Sequence, residues 1–310
     1  MPESIYISDD NCSEDDSGSE KEECRECHDR TTASNKWMDV DNVHLKQEDK
    51  EILMSKDMWL NDNIINAAQK LLKCQFNYIG GFQDTILQSK LQFSVESGEF
   101  IQILNKNNNH WILVTNVGTQ QFSCVRIVDS LGSKHLPLEI QNIIASMLHS
   151  PSPEINLKFD DVHQQNDSNS CGLFAVAFAT SLCFGQSVST LIYDKSKMRS
   201  HLMQCLLAKK MSPFPITGTR KPRLGKLSSF RVHCSCRMPL NSDDVFNVRQ
   251  CSLCSESYHK HCIDLKRVVL KNIPGEQKWI CKSCSDECKL TDNWDIININ
   301  NLHSSVTISK

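Results

Sequence analysis

Cys171 is followed by Gly172 and an apolar run, and it is preceded by the polar stretch Gln164 to Ser170. A cysteine in the first turn of a helix meets unpaired backbone amides and the positive end of the helix dipole. Both favour a thiolate. A thiolate nucleophile also needs a base, and the base needs a group that orients it. His110 and Asp129 supply those types. His110 stands just before the run Trp111 to Val117, and Asp129 just after Phe122 to Val128. The two are equidistant from a point between Thr119 and Gln120, inside the short loop Gly118-Thr119-Gln120-Gln121. Regular antiparallel register would set them opposite each other at one end of a hairpin. Asp129 would then accept from the imidazole and fix its tautomer. Gln165 is a side-chain donor for a developing oxyanion, and the amide of Cys171 is a second. Taken singly, each residue has a plain structural reading: a small core cysteine, a turn-forming aspartate, a packed His-Trp pair. Hairpin symmetry and helix position together favour thiol catalysis.

A second constellation lies further on, as Cys234-x-Cys236, Cys251-x2-Cys254, His259-x2-Cys262 and Cys281-x2-Cys284. Zinc takes four tetrahedral sulfur or nitrogen ligands, so eight ligands make two closed sites. A unit this small has too little core to fold unaided, and structural zinc supplies roughly 10 kcal/mol or more. Trp279 is an apolar anchor two residues before Cys281, and His261 and Cys288 are spare donors. Cys24-Arg-Glu-Cys27-His28 has no partner pair nearby and reads as chance.

Elements must hold these groups in place. Asn61 is a good helix cap with Asp62 in the first turn, and Ile64, Ile65, Ala68, Leu71 and Leu72 follow at helical spacing. Strands are expected at Phe100–Leu104, Trp111–Val117, Phe122–Val128 and 155–160. An apolar helix runs from Cys171 to about Cys183, and residues 188–210 look helical. The result is an α+β domain with a mainly antiparallel sheet. The expected layout is a disordered acidic segment over 1–36, a catalytic domain over 37–211, and a basic Pro/Gly linker over 212–230. A finger over 231–287 and a flexible tail over 288–310 complete it.

The chain has 310 residues and a net charge of −3, which hides a strong asymmetry. Residues 1–36 hold eleven acids against four bases, whereas residues 206–231 hold seven bases and no acid. The longest apolar stretch, Gly172 to Phe184, is too short to span a bilayer. Met1-Pro2-Glu3-Ser4 opens no secretory signal. A nuclear or cytoplasmic location is therefore expected, with reduced thiols, so the sixteen cysteines point to metal binding rather than disulfides. Arg220-Lys221-Pro222-Arg223 suits a nuclear-import signal or a nucleic-acid contact, or simply a solvated linker.

Four segments resemble the ubiquitin-like-protein proteases, the group that includes SUMO and NEDD8 proteases. They are Trp59-Leu60-Asn61-Asp62 with its Ile-Ile helix, His110-Trp111, Val128-Asp129-Ser130-Leu131, and Gln165 six residues before Cys171-Gly172. They come in the family's order and cover about residues 40–210. The resemblance implies a papain-like fold, a His110–Asp129–Cys171 triad and Gln165 at the oxyanion hole. It also implies that Trp59 and Trp111 flank a narrow channel, where only side-chain-free Gly-Gly residues pass. The cysteine-rich segment resembles a PHD finger. On that pattern Cys234, Cys236, His259 and Cys262 hold one zinc, and Cys251, Cys254, Cys281 and Cys284 hold the other. Many such fingers read histone tails. Here Ser257 stands where cage-forming fingers often carry tryptophan, and Ser252 replaces a frequent acid, which counts against methyl-lysine reading.

The sequence thus leads to a thiol protease acting after the Gly-Gly tail of SUMO, NEDD8 or ubiquitin, with two structural zinc ions, a targeting finger and no catalytic cofactor. The competing readings are a catalytically idle modifier-binding or chromatin-reader protein, and a mobile-element or viral-type polyprotein protease.

Overall fold

The computed structural model describes residues 35–119, 124–240, 248–263, 268–270, 279–287 and 295–297. The acidic segment up to residue 34, with Cys24, Cys27 and His28, lies outside them, as does Cys288. The first elements are an antiparallel pair, β1 (Lys36–Val40) and β2 (Val43–Lys46), then α1 (Gln47–Met54) and α2 (Asp62–Gln75). Asn61 caps α2 as expected, its Oδ1 accepting from the Ile64 amide at 3.2 Å. Its amide group donates at 2.6 Å to the buried Asp49, which ties the α2 start to α1.

Next come β3 (Gly80–Gly81), a 3-10 turn over Thr85–Lys90, β4 (Phe100–Lys106), β5 (His110–Thr115) and β6 (Cys124–Val128). They are followed by α3 (Leu138–Leu148), β7 (Glu154–Phe159) and α4 (Cys171–Cys183). The set continues with β8 (Leu191–Tyr193), α5 (Lys195–Leu207), β9 (Ile216–Thr219) and β10 (Lys226–Arg231). Six of the strands make one sheet in the order β10-β7-β6-β5-β4-β3. Its β3/β4 and β6/β7 pairings are parallel and the other three antiparallel, so the α+β sheet is mixed.

Alternation along the central strands explains the layering. In β5, Trp111 and Leu113 join the core shared with α2 and α4, whereas Ile112 and Val114 join the core shared with α3. Both faces are covered, which is why all six residues of β5 are buried. No described helix is long and apolar enough to cross a membrane.

Three expectations need correction. Residues 212–230 are not an irregular linker. They hold β9, paired with β8, and most of β10, the sheet edge paired with β7. The sequence Lys226-Leu227-Ser228-Ser229-Phe230-Arg231 hides its strand because an edge strand keeps polar groups exposed, and only Phe230 packs on a core. Within the expected helix over 188–210, Leu191–Tyr193 is a strand and the helix begins at Lys195. In the expected tail, β14 (Asp295–Ile297) pairs with β13 (Val268–Leu270).

The cysteine-rich region also contains β11 (Val248–Gln250), β12 (Ser257–His259) and α6 (Lys282–Glu287). It abuts the larger sheet directly. Val232 is fully buried in the α3-side core, and Arg237 donates to the carbonyls of Ser150 at 2.8 Å and Pro151 at 3.0 Å.

Candidate active site and metal clusters

His110 opens β5, opposite Lys106 of β4. The β5/β6 ladder pairs Leu113 with Val128 and Thr115 with Arg126. Extending that register sets Asp129 opposite Ile112, two residues from His110, which corrects the simple hairpin symmetry. An offset of two preserves the face, because side chains alternate with period two. Diagonal neighbours remain within reach of long side chains. His110 Nε2 accordingly meets Asp129 Oδ1 at 2.7 Å, with both side chains buried.

Asp129 sits in the turn after β6, where its Oδ1 also accepts from the Leu131 amide at 2.8 Å. Its Oδ2 lies 3.8 Å from the Lys106 ammonium. Burial alone would push this carboxyl up. The His110 hydrogen bond and charge, the Leu131 amide and Lys106 together hold it below the usual carboxylate range. Burial likewise works against a charged His110 ring. Asp129 outweighs it, with Cys171 adding to the effect, and the ring is raised to about 9. His110 Nδ1 is buried with no hydrogen-bond partner among the described residues. A triad needs that nitrogen free for the sulfur.

Cys171 is the first residue of α4 and is 1% exposed. The next position must be small: a Cβ on Gly172 would lie 3.0 Å from Leu60 Cβ and 3.1 Å from Trp111 Cδ1. Glycine thus lets the helix that begins at Cys171 start close against the strand that carries His110. Gln165 is buried nearby. Its Oε1 accepts from the Ser130 hydroxyl at 2.5 Å, and its Nε2 donates to the Asp167 carbonyl at 2.7 Å. The amide has a second N–H to offer. Ser130 follows Asp129 directly, so one turn supports both the orienting carboxylate and the Gln165 amide.

The two tryptophans differ. Trp111 is 4% exposed and donates from Nε1 to the Leu60 carbonyl at 2.9 Å, whereas Trp59 is 46% exposed. Trp111 is a packed residue anchored to the neighbour of Trp59, and Trp59 is a surface residue. Two residues escaped the sequence reading. Lys106 is buried beside Asp129 and donates to Ser133 Oγ at 2.9 Å and the His135 carbonyl at 3.1 Å. A lysine beside an asparagine-rich run carries no signal that it will be buried. Asp167 organises the loop before Cys171, and the cluster Asp-Ser-Asn-Ser ahead of a helix was a legible capping signal.

A cleft of about 490 Å³ lies elsewhere, lined among others by Val117, Arg126, Lys158, Asp160 and Leu182. Its Arg126 is paired with Asp160 at 2.5 Å, and none of His110, Asp129 and Cys171 lines it. It belongs to the opposite end of β5.

The eight expected metal ligands gather as two interleaved sets, Cys234/Cys236/His259/Cys262 and Cys251/Cys254/Cys281/Cys284, each with its ligand atoms within 4.8 Å of one another. A tetrahedral zinc with bonds of about 2.3 Å would set its sulfurs ~3.8 Å apart. Cys254 and Cys281 sulfurs lie 3.9 Å apart, and Cys236 Sγ lies 3.3 Å from His259 Nδ1. The residues fit such an ion. Trp279 is buried in the small core here and meets Tyr258 edge-on at 5.1 Å. His261 is exposed and stacks on His259 without joining a cluster.

No protein-family model matches this sequence, and no curated protein matches it. Among solved structures, the chain is similar to the SUMO protease Ulp1 with its catalytic cysteine oxidised to a sulfenic acid. Identity is 17% and the TM-score 0.47, covering 57% of this chain and 89% of that one. It is similar to the C-terminal Ulp1 protease domain in complex with Smt3, the yeast ortholog of SUMO, at 17% identity and TM-score 0.45, covering 58% and 90%. It is also similar to the Xanthomonas campestris effector XopD bound to ubiquitin, at 16% identity and TM-score 0.36, covering 47% and 90%.

Proposed function

We propose that the chain is a cysteine peptidase that cleaves the peptide or isopeptide bond after the Gly-Gly tail of a ubiquitin-like modifier. The observation that carries it is the buried His110, bonded to Asp129 through Nε2 at 2.7 Å and raised to about 9 with a contribution from Cys171. The modifier class is supported by the four resembling segments, Trp59-Leu60-Asn61-Asp62, His110-Trp111, the Asp129 turn and Gln165 before Cys171. The exposed Trp59, one residue before the Leu60 carbonyl that anchors Trp111, suits an approach that side chains would block.

The chemistry follows from those positions. The charged His110 ring stabilises the Cys171 thiolate, which attacks the terminal glycine carbonyl carbon. Negative charge moves to the carbonyl oxygen, where the free N–H of Gln165 and the Cys171 amide receive it. The C–N bond breaks as His110 gives its proton to the leaving amine, and a thioester remains. Water, deprotonated by His110, attacks that thioester and restores the thiol. Asp129 keeps the ring in the tautomer and orientation that both halves require.

The two interleaved clusters would each hold a structural zinc, which would close the small domain and take no part in the reaction. A PHD-like role in contacting another protein fits this design. A nuclear or cytoplasmic setting suits free thiols of this number.

The test is a panel of C-terminally activated ubiquitin, SUMO and NEDD8 probes on the parent and on Cys171→Ala. A covalent adduct at Cys171 with at least one probe, absent in the variant, is expected. Labelling by none removes the substrate class. Hydrolysis by Cys171→Ala at the parent rate removes the nucleophile assignment.

A further inference from the structure

The loop between Gln165 and Cys171 turns on one residue that the reaction itself does not use. Asp167 Oδ1 accepts from the amides of Asn169 at 3.0 Å and Ser170 at 2.8 Å. Its Oδ2 accepts from the Ser170 hydroxyl at 2.8 Å, and its own carbonyl accepts from Gln165 Nε2 at 2.7 Å. Lys195, the first residue of α5, pairs with the same carboxylate. The grip therefore reaches both ways along the chain. Toward the N-terminus it holds the buried amide group of Gln165. Toward the C-terminus it holds Ser170, which is 2% exposed and covalently next to the nucleophile. The loop is also pinned from outside: Asn169 donates to the Lys56 carbonyl at 3.1 Å, and Lys195 donates to Asn166 at 3.1 Å.

We propose that Asp167 is a positioning residue, which locks the Gln165 amide and the Ser170–Cys171 junction into one rigid unit so that oxyanion donor and sulfur keep a fixed separation. This rests on the peptidase reading above. One N–H of Gln165 Nε2 is spent on Asp167, and that bond aims the other. A misaimed donor loses most of its value, because oxyanion stabilisation requires donors already placed where charge develops. A plain turn before α4 would need only the amide contacts. It would not require the carbonyl of the same residue to carry Gln165. Asp167 is also a fixed anion: slight burial opposes its charge, but Lys195, the Ser170 hydroxyl and amide and the Asn169 amide hold it down at about 2. It does not titrate where the enzyme works, so a pH shift in a variant reports the loop and not Asp167 itself.

The experiment compares full-length parent, Asp167→Ala and Asp167→Asn. Three quantities are read: Tm, kcat and KM on a substrate the parent turns over, and the pH profile of Cys171 alkylation by iodoacetamide, followed by peptide mass spectrometry. Asp167→Ala is expected to lower kcat by about 10- to 100-fold with KM changed less than about threefold. Its alkylation profile is expected to differ from the parent's, with a rate at neutral pH lower by about threefold or more, because a loosened thiol leaves the His110 charge. Asp167→Asn keeps an acceptor for both amides and is expected to recover kcat to within about fivefold of the parent. A lower Tm with parent-like kcat and alkylation profile would reduce Asp167 to a turn former and overturn the proposal. If Asp167→Ala does not fold, Asp167→Glu replaces it. One methylene longer, it keeps the charge but cannot hold both amides, and it must show the same kcat loss. If the parent turns over no substrate, the peptidase reading falls, and the alkylation profile alone decides: shifted sustains the positioning role, unshifted overturns it.

Discussion

His110 Nε2 lies 2.7 Å from Asp129 Oδ1 across a diagonal of the β5/β6 ladder, not across a direct pair. The contact depends on the turn after Val128, where the Leu131 amide and Lys106 hold the carboxylate in place. Asp129→Asn keeps the shape but allows the wrong tautomer. It is expected to lower kcat by roughly 10³- to 10⁴-fold while the protein stays folded. Steady-state kinetics beside a thermal melt check this.

The raised His110 ring has a pH signature. Its ordinary value is 6.5 and its value here about 9, so the folded state holds a proton more tightly than the unfolded chain does. The stability it contributes is fully present below about pH 6.5 and is lost as pH rises through about 9. Turnover should fall later, as pH passes about 9, because an uncharged ring neither pairs with the thiolate nor protonates the leaving amine. Measured from pH 6 to 10, denaturant midpoints are expected to decline between about pH 6.5 and 9 and then level off, whereas kcat is expected to fall as pH passes about 9. Loss of that basic decline in His110→Gln stability data confirms the assignment.

Trp59 and Trp111 should separate by readout. Trp59 is 46% exposed, so Trp59→Ala should alter stability by no more than about 0.5 kcal/mol. It should raise KM for a Gly-Gly-ended substrate by tenfold or so, roughly 1.4 kcal/mol of lost contact. Trp111 is buried and bonded to Leu60, so Trp111→Ala should cost about 3–5 kcal/mol of folding free energy. Urea titrations and Michaelis curves on both variants test the contrast.

Metal removal should be felt beyond the small domain. Val232 and Arg237 join the first cluster to the α3-side core and to the Ser150–Pro151 carbonyls. A strong chelator is expected to release two zinc ions per chain and to lose the near-ultraviolet signal of the buried Trp279. It should also raise hydrogen exchange in β10, whose last residue lies three positions before Cys234. Exchange in β5, at the sheet centre, should hardly change. Metal quantitation and exchange mass spectrometry read these effects.

The sequence by itself singled out the candidate chemistry-bearing residues, because each sits at a punctuation mark. His110 opens an apolar run, Asp129 closes one, Cys171 starts a helix, and the metal ligands come in tight pairs that one turn can supply. Asn61 announced α2 for the same reason, since caps are local events. Other facts were decided only in three dimensions. The true β5/β6 register came from pairing, which hairpin symmetry missed by two residues. The burial of Lys106 came from a turn 27 to 29 residues further along. The role of 226–231 as a sheet edge came from β7, a partner about seventy residues earlier. Composition and periodicity report what a residue is and how its neighbours repeat. Long-range pairing depends on which surfaces meet after the chain closes, and a polar edge strand or a buried lysine shows its place only in that contact.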